Sequence, residues 1–183
     1  AEIEPVFLAG ALVKRATLNN MGDIKRKRVR LGSRVFVRRS NEVIPEILGL
    51  AEDVEGSKEI TPPKTCPSCG AELYENGANL FCPNTDGCKE QIIDRITNFA
   101  SREAMNIEGF SVSTATLLYE TYGLKHFHEL YELTKEQVVN LDKHRDKRAE
   151  NLIKAIEKSK NATLNRFIFA LGINGVGTKT AKD

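Results

Sequence analysis

Cys66, Cys69, Cys82 and Cys88 are the only cysteines among 183 residues, and their spacing commits this part of the chain to wrapping around one point. The first pair reads Cys66-Pro67-Ser68-Cys69 with Gly70 behind it. The second, Cys82-Pro83-Asn84-Thr85-Asp86-Gly87-Cys88, is a wider knuckle with its own proline and glycine. Glycine lets the backbone turn tightly, so that amide N–H groups can point at the sulfurs. Four soft thiolates in tetrahedral array select zinc and leave no open position, so the spacing predicts one structural zinc ion rather than a catalytic one. Two disulfides would require an oxidising compartment, yet there is no apolar signal segment and no further cysteine framework. A redox Cys-x-x-Cys would follow a strand and open a helix, whereas Thr61-Pro62-Pro63 precedes this one.

With 40% apolar and 28% charged residues, the chain has the composition of a soluble globular protein with room for two or three small domains. No run approaches the ~18 apolar residues of a membrane span. The net charge of +2 is unevenly spread. Lys14, Arg15, Lys25, Arg26, Lys27, Arg28, Arg30, Arg34, Arg38 and Arg39 fall in one stretch where Asp23 is the only acid. Such a run can be a plain solvated face, but ten cations against one acid point to a polyanionic partner.

Three regions follow from the pattern of apolar residues. Residues 1 to about 58 carry short runs at Val6, Leu8, Ala11 and Val13, at Val35 and Val37, and at Val43, Ile44, Ile47 and Leu50. Asn19-Asn20 with Gly22, Gly32-Ser33 and Ser40-Asn41 separate them, which predicts closely spaced strands in a small barrel. Glu55-Gly56-Ser57-Lys58 through Pro62-Pro63 reads as a linker to the cysteine module, which runs to about Cys88. From Lys89 the period becomes 3.6. Ile92, Ile93, Ile96, Phe99 and Ala100 share one helix face, and Thr134 with Gln137 forms a capping box. Ala149, Leu152, Ile153 and Ile156 mark another helix, and Leu164, Phe167, Ile168 and Leu171 a last one closed by Gly172.

Within the helices lies a repeat. Ile107-Glu108-Gly109-Phe110-Ser111, Leu141-Asp142-Lys143-His144-Arg145 and Ile173-Asn174-Gly175-Val176-Gly177 each begin on an aliphatic residue. Eight residues later comes alanine each time: Ala115, Ala149 and Ala181. Leu118 and Leu152 follow in the first two copies. The pattern, aliphatic-x-Gly-aliphatic-Gly, resembles the helix–hairpin–helix motif of sequence-independent DNA-binding proteins. Glycines there let the backbone reach a phosphate, and N–H groups opening the second helix bond its oxygens. The third copy is intact and continues into Thr178 and Lys179, which are expected to open a helix. The first has Ser111 for the second glycine, and the second has Lys143 and Arg145 at both glycine positions.

A basic β-domain, a four-cysteine module and tandem hairpins, in that order, resemble the C-terminal half of bacterial NAD-dependent DNA ligase. The likeness runs through Glu4-Pro5-Val6-Phe7-Leu8-Ala9-Gly10, Arg15-Ala16-Thr17-Leu18, Asp23-Ile24-Lys25-Arg26-Lys27 and Val43-Ile44-Pro45-Glu46. It continues in Phe99-Ala100-Ser101-Arg102-Glu103-Ala104-Met105, Ala149-Glu150-Asn151-Leu152 and Ala170-Leu171-Gly172-Ile173. It implies a multidomain α+β chain: an OB-fold domain over 1–58 lacking its first strand, a linker and zinc finger over 59–88, and a helix–hairpin–helix domain over 89–183. The family has His where this chain has Asn19. A fourth hairpin and a BRCT domain would follow Asp183, and an adenylation domain would precede residue 1, so the chain is expected to be a piece cut at both ends.

These ligases charge a lysine in a Lys-x-Asp-Gly motif with AMP from NAD, aided by magnesium, and no such motif occurs here. The resemblance therefore implies the DNA-holding portion of a cytoplasmic, nucleoid-associated enzyme of replication and repair, inactive alone. Nicked duplex DNA would be its partner. Its expected phosphate contacts are Gly109, Ser111, Gly175, Gly177, Thr178, Lys179, Lys14, Arg15 and Arg38. A stand-alone nucleic-acid-binding module is the rival reading, since OB-folds and hairpin arrays also occur separately. A zinc scaffold for protein contacts alone would leave the basic stretch without a role. His126, His128 and His144 have no acidic or nucleophilic partner at meaningful spacing, and Tyr74, Tyr119, Tyr122 and Tyr131 suit core edges.

Overall fold

The computed structural model describes residues 1–40, 44–141 and 146–183, and within them the chain is α+β: β-rich first, then the cysteines, then helices. It divides into two compact units, Ala1–Pro83 and Asn84–Asp183.

The first unit opens with β1 (Glu2–Leu8) and β2 (Ala11–Arg15), antiparallel and joined by a two-residue turn, Ala9-Gly10. Both turn residues have positive φ, 46° and 76°, the handedness that matches the twist of a hairpin. Strands β4 (Arg34–Ser40) and β5 (Ile44–Glu52) form the longest ladder, with two register shifts that let so long a pair coil. Thr17 N donates to Pro45 O (2.9 Å) and Ile47 N to Thr17 O (3.1 Å), tying the end of the first hairpin alongside β5. Strands β3 (Arg30–Leu31) and β6 (Lys58–Glu59) make a short third pair. The core beneath is small: Ala16, Val29 and Ile47 are buried, with Ile3, Leu18, Val35, Val37 and Ile60 packed against them.

Where Asn19-Asn20 and Gly22 predict only a break between strands, the structure has a helix, α1 (Met21–Lys27). Asn20 is its N-cap, with Oδ1 accepting from Asp23 N at 2.8 Å. Lys25, Arg26 and Lys27 lie in its last turn, where cations complement the helix dipole. Seven residues with only Met21 and Ile24 as large apolar side chains leave too short an apolar period to read. The cations expected on strands in this segment are thus on a helix.

The second unit is helical. Helix α2 (Lys89–Ala100) buries the five residues that its period predicts, Ile92, Ile93, Ile96, Phe99 and Ala100. Helix α3 (Val112–Tyr122) ends at Gly123, whose φ of +69° allows its N–H to bond back to Leu118 O and Tyr119 O. A 3-10 helix over Phe127–Glu132 is followed by α4 (Lys135–Asn140), opened by the predicted box: Gln137 N to Thr134 Oγ1 at 3.2 Å and Thr134 N to Gln137 Oε1 at 2.9 Å. Helix α5 (Asp146–Ser159) buries Ala149, Leu152 and Ile156. Phe99 stacks on Phe127 (4.6 Å between centroids) and meets Tyr131 edge-on, which seats the 3-10 segment on α2.

Helix α6 (Leu164–Ala170) departs from its predicted face. Leu164 is 72% and Phe167 39% exposed, while Ala170 is buried and Phe169 packs on the core. Two turns of helix offer little room for a continuous stripe, and Arg166 fixes the orientation instead by donating Nε to Ala104 O (2.7 Å) and Nη2 to Arg102 O.

Candidate metal centre and nucleic-acid surface

The cysteine segment folds as two tight turns and a hairpin. Gly70, at φ +76°, turns the chain so that its N–H donates to Cys66 O (2.9 Å), and Cys66 N donates to Ala71 O (2.8 Å). Strands β7 (Tyr74–Asn76) and β8 (Asn79–Phe81) then return the chain through Gly77-Ala78. In the second knuckle Asn84 accepts from Cys88 N (3.0 Å) through its backbone and from Gly87 N (3.0 Å) through its side chain. Cys88 is the N-cap of α2, which places the positive end of the helix dipole at a ligand.

The four Sγ atoms lie within 4.8 Å of one another. Cys69 and Cys82 Sγ are 3.5 Å apart, too far for the ~2.0 Å of a disulfide and close to the ~3.8 Å edge that Zn–S bonds of ~2.3 Å give a tetrahedron. Cys66 and Cys88 are buried, the others half-buried. Four thiolates at these separations fit zinc, and with all four positions filled by protein no site remains for water or substrate. The module has little else to hold it, since Phe81 and Tyr74 stack on each other but are 41% and 50% exposed.

The basic stretch looks different in space than along the chain. Arg15 pairs with Glu2, Lys25 with Glu75, Arg30 with Asp53, Arg34 with Glu52 and Arg38 with Glu46, at 2.6–3.1 Å. These acids lie outside the segment that carries the cations, so linear charge counting cannot find them. Such exposed pairs contribute about 0–1 kcal/mol each and can exchange for a phosphate. Lys14 is exposed on β2 with no partner among the described residues.

Asp23, the one acid inside the stretch, organises α1. Its side chain is 4% exposed and holds Lys27 (2.7 Å), Arg26 and Asn19 Nδ2 (3.0 Å). The Lys27 hydrogen bond, helped by Arg26 and Asn19 and opposed by burial, holds its carboxyl below the usual carboxylate range. Nothing in the sequence marks it except its isolation among cations.

The first and third hairpins share a backbone. Gly109 has φ +82° and Gly175 +81°. Phe110 N donates to Ile107 O (3.2 Å) as Val176 N does to Ile173 O (3.0 Å), and Ala115 N to Ser111 O as Ala181 N to Gly177 O, both at 3.0 Å. Ala115, Ala149 and Ala181 are all buried, as are Leu118 and Leu152. Ser111 is the N-cap of α3, its Oγ accepting from Thr114 N at 3.3 Å, so the N–H groups of Val112 and Ser113 lie at the helix entrance. Apart from its immediate chain neighbours, no atom of the described residues lies within 4 Å of where a Cβ would sit on Gly109, Gly175 or Gly177.

In the third hairpin the positive φ belongs to Gly175 and not to Gly177, and one expectation needs correction. Thr178 and Lys179 are exposed in a single turn rather than opening a helix, and Ile173 is 50% exposed. One turn carries the nucleation cost of a helix without the propagation that offsets it. The second hairpin, with Lys143, His144 and Arg145, lies outside the described residues. His126 and His128 stack on each other at 5.5 Å, and no helix among the described residues is long and apolar enough to cross a membrane.

The NAD-dependent DNA ligase OB-fold domain matches residues 1–59. Over its whole length the chain is 57% identical to DNA ligase 1 and 58% identical to DNA ligase 2 of Clostridium acetobutylicum, each over 184 residues. It is likewise 57% identical to a DNA ligase of Clostridium perfringens. Each alignment takes in 100% of this chain and 28% of the relative, so the chain spans little more than a quarter of their length. Residues 1–59 thus match the OB-fold domain of NAD-dependent DNA ligases, and the whole chain is similar to a segment of bacterial DNA ligases.

Proposed function

We propose that this segment is the part of an NAD-dependent DNA ligase that holds nicked duplex DNA by its phosphates, without reading sequence. It would do so with an OB-fold domain at 1–58, a linker and zinc finger at 59–88, and a helix–hairpin–helix domain at 89–183. The observation that supports it most is the matched backbone of Gly109 and Gly175, both left-handed with open space before them, in a chain alignable throughout with DNA ligases. An open, side-chain-free turn suits a phosphate, at the first hairpin beside the N–H groups that enter α3, and offers nothing to distinguish bases. Lys14, Arg15 and Arg38 would add side-chain cations, and Thr178 and Lys179 would extend the third hairpin's contact.

Cys66, Cys69, Cys82 and Cys88 would hold one zinc ion, which supplies folding energy to the finger and no catalytic water. Adenylation from NAD, magnesium chemistry and sealing would belong to other parts of such an enzyme. Lacking Lys-x-Asp-Gly, it should not ligate alone. In the whole enzyme it would serve replication and repair in the cytoplasm, beside an adenylation domain and a BRCT domain.

Titrating a nicked duplex with the chain and with Gly109→Leu and Gly175→Leu, helix content checked by circular dichroism, tests the reading. Weaker binding by folded variants is expected. Unchanged affinity in both would overturn phosphate contact through the hairpins.

A further inference from the structure

Between the first hairpin loop and α5 lies a cleft of about 400 Å³. Gly109 forms part of its wall, and the space before that glycine is open. From α5, the side chains of Arg148, Asn151, Lys154 and Lys158 line it. Residues 148, 151 and 158 are three and seven apart, so they project from one helix face. Among the described residues, three cations thus border a cavity whose lining includes one acid, Glu108 of the hairpin loop. Glu108 Oε1 stands 3.8 Å from Lys158 Nζ, with both side chains more than two-thirds exposed. Among the described residues Lys154 is held by its helical neighbour Glu150 alone, at 2.6 Å, with both side chains about half or more exposed. Exposed pairs of this kind are worth about 1 kcal/mol at most, so a stronger anion can displace them.

We propose that this cleft receives one backbone phosphodiester of duplex DNA, bound by Arg148, Lys154 and Lys158 beside the hairpin amides, and that Glu108 is its built-in competitor. The inference rests on the reading of the chain as a DNA clamp and adds side-chain ligands that the hairpin motif does not contain. The Glu108 carboxylate takes the anion's place against Lys158 when DNA is absent, and its charge opposes the incoming phosphate. The loop acid would therefore set affinity and release rather than sequence preference.

The test titrates a nicked duplex at several salt concentrations with three forms of the 183-residue chain: unaltered, Glu108→Gln, and Arg148→Gln/Lys154→Gln/Lys158→Gln together. Thermal melts and circular dichroism monitor folding, with Lys158→Gln alone as the milder variant. The triple variant is expected to lose about 0.9 from the log–log salt slope, the value of one phosphate contact. Glu108→Gln should bind about two- to fivefold more tightly at low salt, a gain that screening removes as salt rises. An unchanged slope in the triple variant and in Lys158→Gln, with the unaltered chain still binding, would overturn the cleft and leave the clamp reading intact. Weaker binding by Glu108→Gln would overturn the competitor role. No binding by the unaltered chain would overturn both.

Discussion

The two units solve the problem of a stable core in opposite ways. Among the described residues, the helical unit gathers nineteen buried residues into one cluster, from Ile92 on α2 to Ala170 on α6. Among the described residues the β unit has a cluster of three, and beyond it a cysteine hairpin whose aromatic pair is about half exposed. So small a core cannot offset the conformational entropy of the first unit, which must draw on its backbone ladders, its ion pairs and the metal that Cys66, Cys69 and Cys82 help to hold. The helical unit supplies one ligand, Cys88 at the N-cap of α2, but has a packed core of its own. Stability should therefore be metal-dependent at the β end and packing-dependent at the helical end.

The largest test of that contrast is metal removal. Structural zinc contributes on the order of 10 kcal/mol or more to small sites of this kind. Cys69→Ser, or chelation, should abolish amide protection across residues 64–82 in hydrogen exchange while helix content by circular dichroism is largely kept. Simultaneous loss of helix would mean that the helical unit also depends on the metal. Next in size is the helical core itself. Phe99, 1% exposed and stacked on Phe127, should cost about 3–5 kcal/mol when replaced by Ala, read from denaturant unfolding, with zinc content unchanged.

A smaller effect is expected at the cap of α1. Asn20→Ala should cost about 1 kcal/mol in the β unit and leave the helical unit's melt unmoved. The smallest concerns acid. The Asp23 carboxyl is held below its ordinary value, chiefly by Lys27, so its contribution is complete above the unfolded carboxylate's pKa of about 3.9 and lost as pH falls through the folded value. The stability gap between the protein and Asp23→Asn should be level from pH 5 upward and close below about pH 4. A gap that widened on acidification would contradict that sign.

Sequence reading went furthest where contacts are local. The faces of α2 and α5, the Thr134 box, the cysteine knuckles and the alanine of each hairpin repeat depend on residues a few positions apart, and the structure buries or bonds them as the periods require. Non-local pairing was not legible. The acids that meet Arg15, Arg30, Arg34 and Arg38 come from residues 8 to 23 positions away, and the basic stretch seemed bare without them. Helix α1 was missed because Asn-Asn and Gly also spell a turn, and only Asn20 capping Asp23 decides for the helix. The cleft cations of α5 were hidden for another reason: Arg148, Lys154 and Lys158 alternate with Glu150 and Glu157 and read as an ordinary solvated face.

Sequence-independent phosphate holding is the central claim, and a salt titration tests it most directly. Two nicked duplexes of unrelated sequence would be titrated with the 183-residue chain between 50 and 200 mM salt. Each phosphate neutralised adds about −0.9 to the log–log slope, so four to six contacts predict a loss of about two to three decades in affinity, equal for both sequences. A flat salt response, or strong discrimination between the two duplexes, would contradict the account.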